Sequence, residues 1–487
     1  MVMNVEGMRR ARWLAAAALT AGILSALTVV LALAAPRRSA LYGAINLSER
    51  STLNSGDTSM AVSPDGERVV VVWAEAIGDL NYNGSVWLRW NSKSAESAWS
   101  PRVSVFTGAK YKTCDYGSTS VAVADTTAHV AYVAADSCGV GFPTQSVISY
   151  TTCSLTEGGS CEAAQTITST PFSITGYELR KVDIALDDGG NPHIVYERHV
   201  YGGGITGTIY YRGGVSQPEE RVLASTIGTD PAIAWSNGYA HVVWKEVKQG
   251  GEEFEIMYSR RDASGVWTHP STPPTNYKGT RPYYPRNPDV AAYGEHVVVT
   301  WDWQWTSAAD QYLLAYTRYL TGTDQWMPAH EVGTQGAVGT LVDEDWLLPP
   351  VYTYTSTPDP LSFFRGYLEP SVTLDKDGLP TIVWHANNGT YDIMYSRAQS
   401  ITKSIEGADI FSWSEPVVLH PSTAGDSASP VVAQAPVVSP TLHVVYLHRA
   451  SDDWETYYEN REAGHVPGDY VYRTFLPIVP RNWAGPD

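Results

Sequence analysis

The stretch Val69-Val-Val-Val-Trp73 decides the fold, because a strand that is apolar at every position must be covered on both faces. Similar runs are His241-Val-Val-Trp244 and His443-Val-Val-Tyr446. A second apolar run and a turn precede each of them. This pattern of apolar run, turn and strand with an aromatic residue recurs roughly every 60 residues, which is typical of one supersecondary unit stacked on itself. Its seven anchoring aromatics are Trp73, Tyr132, Tyr196, Trp244, Trp301, Trp384 and Tyr446.

Two further strands complete the repeated unit. A Tyr-rich strand follows the anchoring aromatic, as in Glu255-Ile-Met-Tyr-Ser-Arg260. A turn and the pattern Trp-x-x-Pro, as in Gly265-Val-Trp267-Thr-His-Pro270, then introduce a last strand. Each unit is therefore a four-stranded antiparallel meander, with strands A to D. Radial stacking covers both faces of such sheets, so we predict an all-β fold: a seven-bladed β-propeller of four-stranded antiparallel blades.

The sequence also predicts how the ring closes. Ala44-Ile-Asn-Leu-Ser48 matches the last strand of another unit, Glu415-Pro-Val-Val-Leu419, whereas the seventh unit has no such strand of its own. We therefore expect the N-terminal strand to complete the last blade. The predicted domains are an N-terminal segment with one hydrophobic helix (1–41), the propeller (42–462) and a C-terminal tail (463–487) of open role.

The N-terminal segment is typical of export. Arg9, Arg10 and Arg12 precede an apolar run over residues 13–35, which is long enough to span a bilayer. Ala32-Leu-Ala34 also offers a signal-peptidase site. Two interpretations stay open: a transmembrane anchor at residues 13–35, or a signal peptide cleaved near Ala34. Both predict an extracellular or cell-surface propeller, and only the first gives it a membrane partner.

The four cysteines all fall in the second unit. Cys114 precedes strand A and Cys138 follows strand B, so both are expected at one end of an antiparallel pair. Cys153 and Cys161 flank the turn between strands C and D. We predict the disulfides Cys114–Cys138 and Cys153–Cys161. The alternative, a four-cysteine zinc site, lacks the C-x₂₋₄-C pairs that such sites use.

Charge limits the possible partners. The formal net charge is −18, which argues against a nucleic-acid surface because that would need a basic stripe. No phosphate-binding loop or Gly-x-Ser-x-Gly motif is present in the sequence, and we expect no cofactor and no metal site. The oligomeric state is left open.

Histidines occupy one repeated position in strand B. His129, His193, His241 and His443 each lie three residues before the anchoring aromatic, and His296 lies at the same strand start. One histidine per blade is spread round a ring, so these side chains cannot converge on a metal unless they line the axis. We predict a repeated structural role, such as hydrogen bonding to the neighbouring blade.

One turn carries a family resemblance. Ser259-Arg-Arg-Asp262-Ala-Ser-Gly265-Val-Trp267 is similar to the Asp box, Ser-x-Asp-x-Gly-x-Thr-Trp, with one residue added between Asp and Gly. Together with the blade pattern, it resembles the sialidase-like (Asp-box, BNR-type) β-propeller superfamily. That resemblance implies glycoside hydrolase chemistry, with an arginine cluster and a Tyr nucleophile paired with Glu; sialidases have six blades, whereas seven are counted here.

Chemistry is expected on the face formed by the B-to-C and D-to-A loops. The largest insertion, residues 329–366, joins the fifth and sixth units, and two loops of the fifth unit lie beside it in a ring. The candidate ligand-binding residues are Trp303, Trp305, Asp302, Arg281, Tyr283, Tyr284, Trp346 and Tyr352. The candidate catalytic residues are Asp302, Asp343, Arg180, Arg286 and Arg365, within a wider carboxylate pool of Glu344, Asp345, Glu197 and Glu246.

Three functions remain open on this basis. Aromatic residues beside carboxylates and arginines are typical of a module that binds a glycan or a cell-surface polymer. Two carboxylates in one cleft would instead allow glycoside hydrolysis of the sialidase-like type. If the aromatic residues only pack the insertion, the ring is a non-catalytic scaffold. We expect binding without catalysis.

Overall fold

The structure is a computed structural model, and it describes residues in the following ranges: 44–49, 54–76, 84–92, 99–107, 118–135, 145–171, 177–200, 206–222, 227–247, 254–268, 284–304, 312–323, 325–326, 330–331, 369–387, 391–403, 409–414, 417–420, 426–435, 441–449 and 454–462. Within these ranges the secondary structure is strand and turn.

Seven antiparallel sheets follow one another along the chain, and strands A to C of each lie in sequence order. Strands A to D are Asn54–Val62, Arg68–Ala76, Ser85–Ser92 and Val103–Thr107 in blade 1; Thr119–Ala124, Thr127–Ala135, Gln145–Ser154 and Gln165–Pro171 in blade 2; Tyr177–Leu186, Pro192–Val200, Thr206–Gly213 and Glu220–Arg221 in blade 3; and Gly228–Ser236, Tyr239–Val247, Phe254–Asp262 and Trp267–Thr268 in blade 4.

The remaining blades follow the same plan. Strands A to D are Tyr284–Tyr293, His296–Gln304, Tyr312–Leu320 and Gln325–Trp326 in blade 5, and Ser371–Leu374, Pro380–Asn387, Tyr391–Lys403 and Asp409–Trp413 in blade 6. Strands A to C of blade 7 are Asp426–Ala433, Thr441–Arg449 and Glu455–Glu462. His330–Glu331 and Val417–His420 pair additionally with strand C of blades 5 and 6. The predicted seven-bladed propeller is confirmed.

The ring closes as predicted. The N-terminal strand Ile45–Asn46 pairs with strand C of blade 7, with Ile45 opposite Tyr458. The backbone N–H of Leu47 donates to the carbonyl of Thr456 at 2.7 Å. Arg102 of blade 1 then donates to the carbonyl of Ser48 at 3.0 Å. The N-terminal strand is thus held by blades 7 and 1 together.

The hydrophobic core is divided among the seams between blades. Seven clusters of buried apolar residues each combine side chains from two adjacent blades. At the seam of blades 4 and 5, for example, Val243 and Tyr258 pack with Val297 and Trp301. All seven anchoring aromatics are at most 3% exposed. Strand B is apolar on both faces because each face meets a different neighbour.

A repeated hydrogen bond joins the strands A of neighbouring blades. In blades 1, 2 and 6 a serine hydroxyl oxygen, in Ser59, Ser120 and Ser371, accepts from a backbone N–H of the next blade. Blades 3 and 5 use a carboxylate instead, since Asp183 accepts from the N–H of Ile233 at 2.8 Å and Asp289 from that of Val372 at 2.8 Å. We call these five side chains the seam acceptors.

The strand B histidines have the repeated structural role that the sequence predicted, but the bond lies within one blade. In blades 2, 3, 4 and 7 the histidine Nδ1 lies within hydrogen-bond distance of a tyrosine hydroxyl on strand C of the same blade. The neighbouring blade, which the sequence suggested as an example of the partner, does not supply this bond, because the histidine and the tyrosine are diagonal neighbours on one face of the same sheet. His296 differs: Arg318 donates to its Nδ1 at 2.6 Å.

The tyrosine at this position of strand C also contacts the next blade through its aromatic ring. The Trp of the Trp-x-x-Pro element stands edge-on to a strand C tyrosine of the preceding blade at four seams, with ring centroids 4.7–5.2 Å apart. The pairs are Tyr211–Trp267, Tyr258–Trp326, Tyr316–Trp413 and Tyr458–Trp99. The repeated Trp is therefore part of the seam between blades.

The turn that resembles an Asp box is organised by its aspartate. Asp262 Oδ1 accepts from the Ser264 hydroxyl at 2.7 Å and from the N–H of Val266 at 2.8 Å. Gly265 has φ +91°, which a side chain would disfavour. The indole N–H of Trp267 donates to Glu220 of blade 3 at 3.0 Å. This turn thus fastens blade 4 to blade 3.

One of the two predicted disulfides is confirmed. Cys153 on strand C and Cys161 after the turn are bonded to each other. Cys114 and Cys138 lie outside the described residues, as do residues 13–35 and the whole C-terminal tail. No helix long and apolar enough to cross a membrane occurs in the part of the chain that the structure describes.

Candidate functional site

Strand A is innermost in each blade, because the strands A of successive blades contact one another all the way round the axis. Near its start, six of the seven blades carry a non-glycine residue with φ between +41° and +55°. In five of these blades the strand register shifts there, as in a β-bulge. We call these residues the bulge ring: Asp57, Lys181, Asp230, Asn287, Glu369 and Ser429.

The bulge ring lies at the end of the axis where strand A begins and strand B ends, which we call the upper end. The D-to-A and B-to-C connections meet there, so it is the face on which the sequence placed the chemistry. A left-handed backbone costs about 1–3 kcal/mol for a non-glycine residue and is found most often at functional sites. Lysine and glutamate are unusual in this conformation, and Lys181 and Glu369 adopt it.

Strand B supplies a second row at the upper end, in the position directly after the anchoring aromatic. Its members are Ala74, Val133, Glu197, Lys245, Asp302, His385 and Leu447. Only blades 3 to 6 carry a polar side chain in this row, which we call the strand B row. The site is therefore polar on one side of the ring, and blades 7, 1 and 2 place buried apolar residues at the same position.

Blades 3 and 4 are joined by their charged residues. The backbone N–H of Asp230 donates to Glu197 Oε2 at 3.2 Å, and the ammonium of Lys245 lies 3.1 Å from Asp230 Oδ2. Blade 3 has a cation in the bulge ring and a carboxylate in the strand B row, whereas blade 4 has the reverse. Opposite charges are thus neighbours both along each blade and across the seam.

Blades 5, 6 and 7 continue the network with weaker contacts. The Asn287 amide lies 3.3 and 3.4 Å from the two carboxylate oxygens of Asp302. In blade 6, His385 Nδ1 lies 3.9 Å from Glu369 Oε2. The hydroxyl of Ser429 in blade 7 donates to the same Glu369 oxygen at 2.6 Å. Each bulge residue in this half is therefore in contact with a polar partner on its own or an adjacent blade.

Lys181 shows that the bulge ring converges on the axis. Its side chain is exposed to water. Burial would lower the pKa of Lys181, but carboxylates from four other positions, Asp230, Asp57, Glu369 and Glu197, hold it above its ordinary value. These carboxylates belong to blades 1, 3, 4 and 6, so the charges that act on Lys181 come from four of the seven blades.

Charges and burial also set the pKa values of two other titratable groups of the site. Burial would raise the pKa of Asp230, but Lys245 and Lys181 hold it below its ordinary value. Burial lowers the pKa of His385 more than Glu369 raises it, so this imidazole is neutral at pH 7. At neutral pH, Lys181 and Asp230 are charged and His385 is not.

The structure places some of the predicted catalytic residues. Arg180 and Arg286 occupy the same register position in blades 3 and 5, opposite Glu197 and Asp302 respectively. Arg180 donates to Glu178 at 2.6 Å, so it is held by its own strand. Glu197 is 3% exposed and Asp302 is 0% exposed.

Most of the predicted ligand-binding residues are not tested by the structure. Arg281, Tyr283, Trp305, Asp343, Glu344, Asp345, Trp346, Tyr352 and Arg365 lie outside the described residues. Only the backbone of Tyr284 and Trp303 is described, at the upper ends of strands A and B of blade 5. Their role in binding stays a prediction.

Sequence reasoning missed most of the bulge ring. Lys181, Asp230 and Asn287 lie in the first half of strand A and Glu369 lies just before it, in stretches that looked like ordinary loop in the sequence. Lys245 was not singled out either. A signal was nonetheless present: when the units are aligned on the anchoring aromatic, the next residue is polar only in units 3 to 6. No group of three or more potential metal ligands occurs among the described side chains.

Several solved structures are similar to this chain at TM-score 0.43. A protein of unknown function from Dyadobacter fermentans is 11% identical, with 86% of this chain and 98% of that chain covered. An α-L-arabinofuranosidase from Fusarium graminearum is 9% identical, with 84% and 93% covered. A leech intramolecular trans-sialidase is 10% identical, with 86% and 69% covered.

The chain matches no family model and no curated protein. The similarity to these three structures is weak both in sequence and in backbone superposition. At identities of 9–11% and a TM-score of 0.43, this likeness carries no argument about activity. The argument for function therefore comes from the site.

Proposed function

We propose that this protein is an exported β-propeller that binds a carbohydrate at the upper end of its channel. The observation that carries the proposal is Lys181, a water-exposed lysine of the bulge ring whose pKa is raised by carboxylates of blades 1, 3, 4 and 6. The other members of the bulge ring contribute carboxylate, amide and hydroxyl groups to the upper end of the ring. Sugar hydroxyls both donate and accept hydrogen bonds, so they suit a site that offers carboxylates and an ammonium group together.

Export rests on two further features. The sequence has an apolar segment at residues 13–35 after three arginines, and the Cys153–Cys161 disulfide is typical of an oxidising compartment. The ligand we propose is a glycan or a cell-surface polymer, which such a compartment would offer. Protease treatment of intact cells tests the location: a full chain that remains protected until the cells are lysed would contradict export.

Glycoside hydrolysis is the alternative activity. It requires two carboxylates about 5–10 Å apart that both reach the scissile bond. Glu197 and Asp302 are poor candidates, because they are almost fully buried and already bonded to bulge residues. A carboxylate that holds the backbone of Asp230 in place is a positioning group. We therefore propose binding without turnover.

The test is a glycan array on the purified full chain, with chromogenic glycosides assayed in parallel. We expect binding to at least one glycan class and no turnover. Asn287→Gly removes the amide but tolerates the positive φ, so it should weaken binding about tenfold or more, the effect of losing hydrogen bonds worth about 1.4 kcal/mol. No binding to any glycan would contradict the proposal, and turnover would replace it with the hydrolase.

Asn237→Gly is the matched control for this variant. Asn237 also has a positive φ, of 51°, but it lies in the A-to-B turn of blade 4, at the opposite end of the ring. It is exposed to solvent. Binding should be unchanged in Asn237→Gly, and an equal loss in both variants would mean that the site is not at the upper end.

A further inference from the structure

The seam between blades 7 and 1, which we call the closing seam, is distinguished by one residue of strand C. In blades 1 to 6, the strand C residue opposite the strand B row is aliphatic and at most 7% exposed. In blade 7 it is Thr456, opposite Leu447, and this residue is 0% exposed. Threonine has nearly the shape of valine, but its hydroxyl is costly to bury unless it is hydrogen-bonded. The six aliphatic counterparts are Val86, Ile148, Ile209, Ile256, Leu314 and Ile393.

The side chain of Thr456 faces blade 1. Alternate residues of a strand point to the same face of its sheet, and Tyr458, two residues further on, packs with Met60 and Trp73 of blade 1. The backbone N–H of Thr456 donates to Ser48 Oγ at 3.2 Å, so its position is fixed by the N-terminal strand. Its own hydroxyl oxygen, however, has no hydrogen-bond partner among the described residues.

Blade 1 presents two further buried oxygens to the closing seam. Glu75 lies two residues after Trp73 on the same face, and Ser55 is directly opposite Glu75 in the strand register. Glu75 is 1% exposed and Ser55 is 5% exposed, yet neither Glu75 Oε2 nor Ser55 Oγ has a hydrogen-bond partner in the described part of the chain. The backbone N–H of Ser55 donates to the carbonyl of Trp454 in blade 7 at 2.8 Å. Ser55 therefore meets blade 7 two residues from Thr456.

The chemistry of these three oxygens defines the ligand that would satisfy them. A carboxylate oxygen only accepts hydrogen bonds, whereas a hydroxyl both donates and accepts, so the ligand must donate at least one hydrogen bond. The charge of Glu75 is already balanced, because the guanidinium of Arg102 lies 2.5 Å from Glu75 Oε1 and the indole N–H of Trp73 donates to the same oxygen at 3.0 Å. An added cation would leave a net positive charge buried. Water is neutral, donates two hydrogen bonds and accepts two.

Strand A shows why the closing seam needs a link of this kind. Blade 7 has Val431 at the position of the seam acceptor Ser59 in blade 1, since each is paired with the residue just before the anchoring aromatic. A valine side chain cannot accept a hydrogen bond. The side-chain hydrogen bond that the seam acceptors make between neighbouring strands A therefore cannot form from this position of blade 7.

We propose that the closing seam encloses bound water, which joins Thr456 of blade 7 to Glu75 and Ser55 of blade 1. This water takes the place of a direct side-chain hydrogen bond between the two blades where the ring closes. It explains why blade 7 carries a hydroxyl at a position that is aliphatic in the other six blades. The inference goes beyond carbohydrate binding and does not depend on it.

The test is Thr456→Val in the full chain, measured by urea denaturation. Valine keeps the shape of the side chain but loses the hydrogen bond to the water. We expect the equilibrium constant for unfolding to rise about tenfold, which corresponds to about 1.4 kcal/mol. A hydroxyl buried without a ligand would give the opposite sign, because valine would then be preferred here as aliphatic residues are in blades 1 to 6. A urea midpoint that is unchanged or higher in Thr456→Val overturns the proposal.

Val86→Thr is the matched control, because it makes the reverse exchange at the corresponding position of blade 1. Val86 packs among apolar side chains at the seam of blades 1 and 2, so a hydroxyl there should lower the urea midpoint. Threonine is thus expected to be favourable at the closing seam and unfavourable at this one. Circular dichroism checks that each variant is folded.

Ser55→Ala tests whether the two blades share one ligand. If both hydroxyls bind the same water, the double variant Ser55→Ala, Thr456→Val should lose less stability than the sum of the two single variants. Losses that add without interaction overturn the shared water. This comparison does not rely on the size of either single effect.

Two further measurements identify the ligand. The difference in urea midpoint between the parent chain and Thr456→Val should be the same in sodium, potassium, calcium and choline chloride at equal ionic strength; a difference that depends on the cation would replace the water with a metal ion. A crystal structure of the full chain should show water within hydrogen-bond distance of Thr456 Oγ1, Ser55 Oγ and Glu75 Oε2. Direct hydrogen bonds among these three oxygens would overturn the proposal.

Discussion

The imidazole Nδ1 of His241 lies 2.7 Å from the hydroxyl of Tyr258, and Tyr258 in turn stands edge-on to Trp326 of the next blade. The histidine, which is 0% exposed, belongs to blade 4 and the indole to blade 5. The tyrosine therefore links the hydrogen bonding within one blade to the packing between two. Blades 3 and 7 repeat this arrangement, so it stabilises the ring at several seams.

Removing the hydroxyl at this position should destabilise the protein. Tyr258→Phe keeps the ring contact with Trp326 but leaves a buried nitrogen of His241 without that partner. We expect the free energy of unfolding to fall by about 1–3 kcal/mol, measured by urea denaturation. Tyr210→Phe is the control, since its ring also stacks on a neighbour while its hydroxyl makes no hydrogen bond shown in the described structure. Equal losses in both variants would count against a role for the bond.

Buried histidines should make the protein sensitive to mild acid. Burial lowers the pKa of His241 to about 3, and it also lowers the pKa values of His129, His193, His296, His385 and His448. Below pH 6.5 the unfolded chain binds protons that the folded chain does not, so stability falls as the pH drops towards 3. His241→Gln should flatten this dependence between pH 6.5 and 4 in urea titrations; an unchanged slope would contradict the assignment.

Asp289, the seam acceptor of blade 5, should make the stability of the folded state depend on pH in the opposite direction. Burial raises the pKa of Asp289 to about 7, and the nearby Asp183 adds to the shift. Ionisation is therefore disfavoured in the folded state, and this residue's contribution to stability is lost as the pH rises from about 4 to 7.

Asp289→Asn tests this dependence directly. The amide oxygen can still accept from the N–H of Val372, but the group no longer ionises. Relative to the parent chain, the variant should gain stability as the pH rises from 4 to 8, measured as the difference between the two urea midpoints. The corresponding residue of blade 6, Ser371, is uncharged, so Ser371→Ala should show no such trend with pH.

The Cys153–Cys161 disulfide should add a modest amount of stability. It closes a loop with a sequence separation of 8, for which the loss of chain entropy in the unfolded state amounts to about 2–3 kcal/mol. Replacing both cysteines by alanine should lower the free energy of unfolding by about that amount and leave the far-ultraviolet circular dichroism unchanged. A chain that fails to fold without this bond would show that blade 2 depends on it for assembly.

The sequence by itself determined the blade count, the strand order and the closure of the ring. Val69 to Trp73 and its six counterparts are apolar on both faces, and only a sheet covered on both sides can bury such a strand. Ile45 and Asn46 were identifiable because every other unit had its own last strand. All three properties follow from the pattern of apolar residues and turns along the chain, which can be seen in the sequence before any strands have paired.

Tertiary structure alone decided which side chains meet at the axis. Lys181, Asp57 and Glu369 belong to blades 3, 1 and 6, and no spacing along the chain relates them. They approach each other because the innermost strands converge, and each of the three residues has a positive φ at or near the start of its strand. The histidine bonds were mispredicted for the same reason: the direction of a side chain depends on pleat and register, and these exist only once the strands have paired.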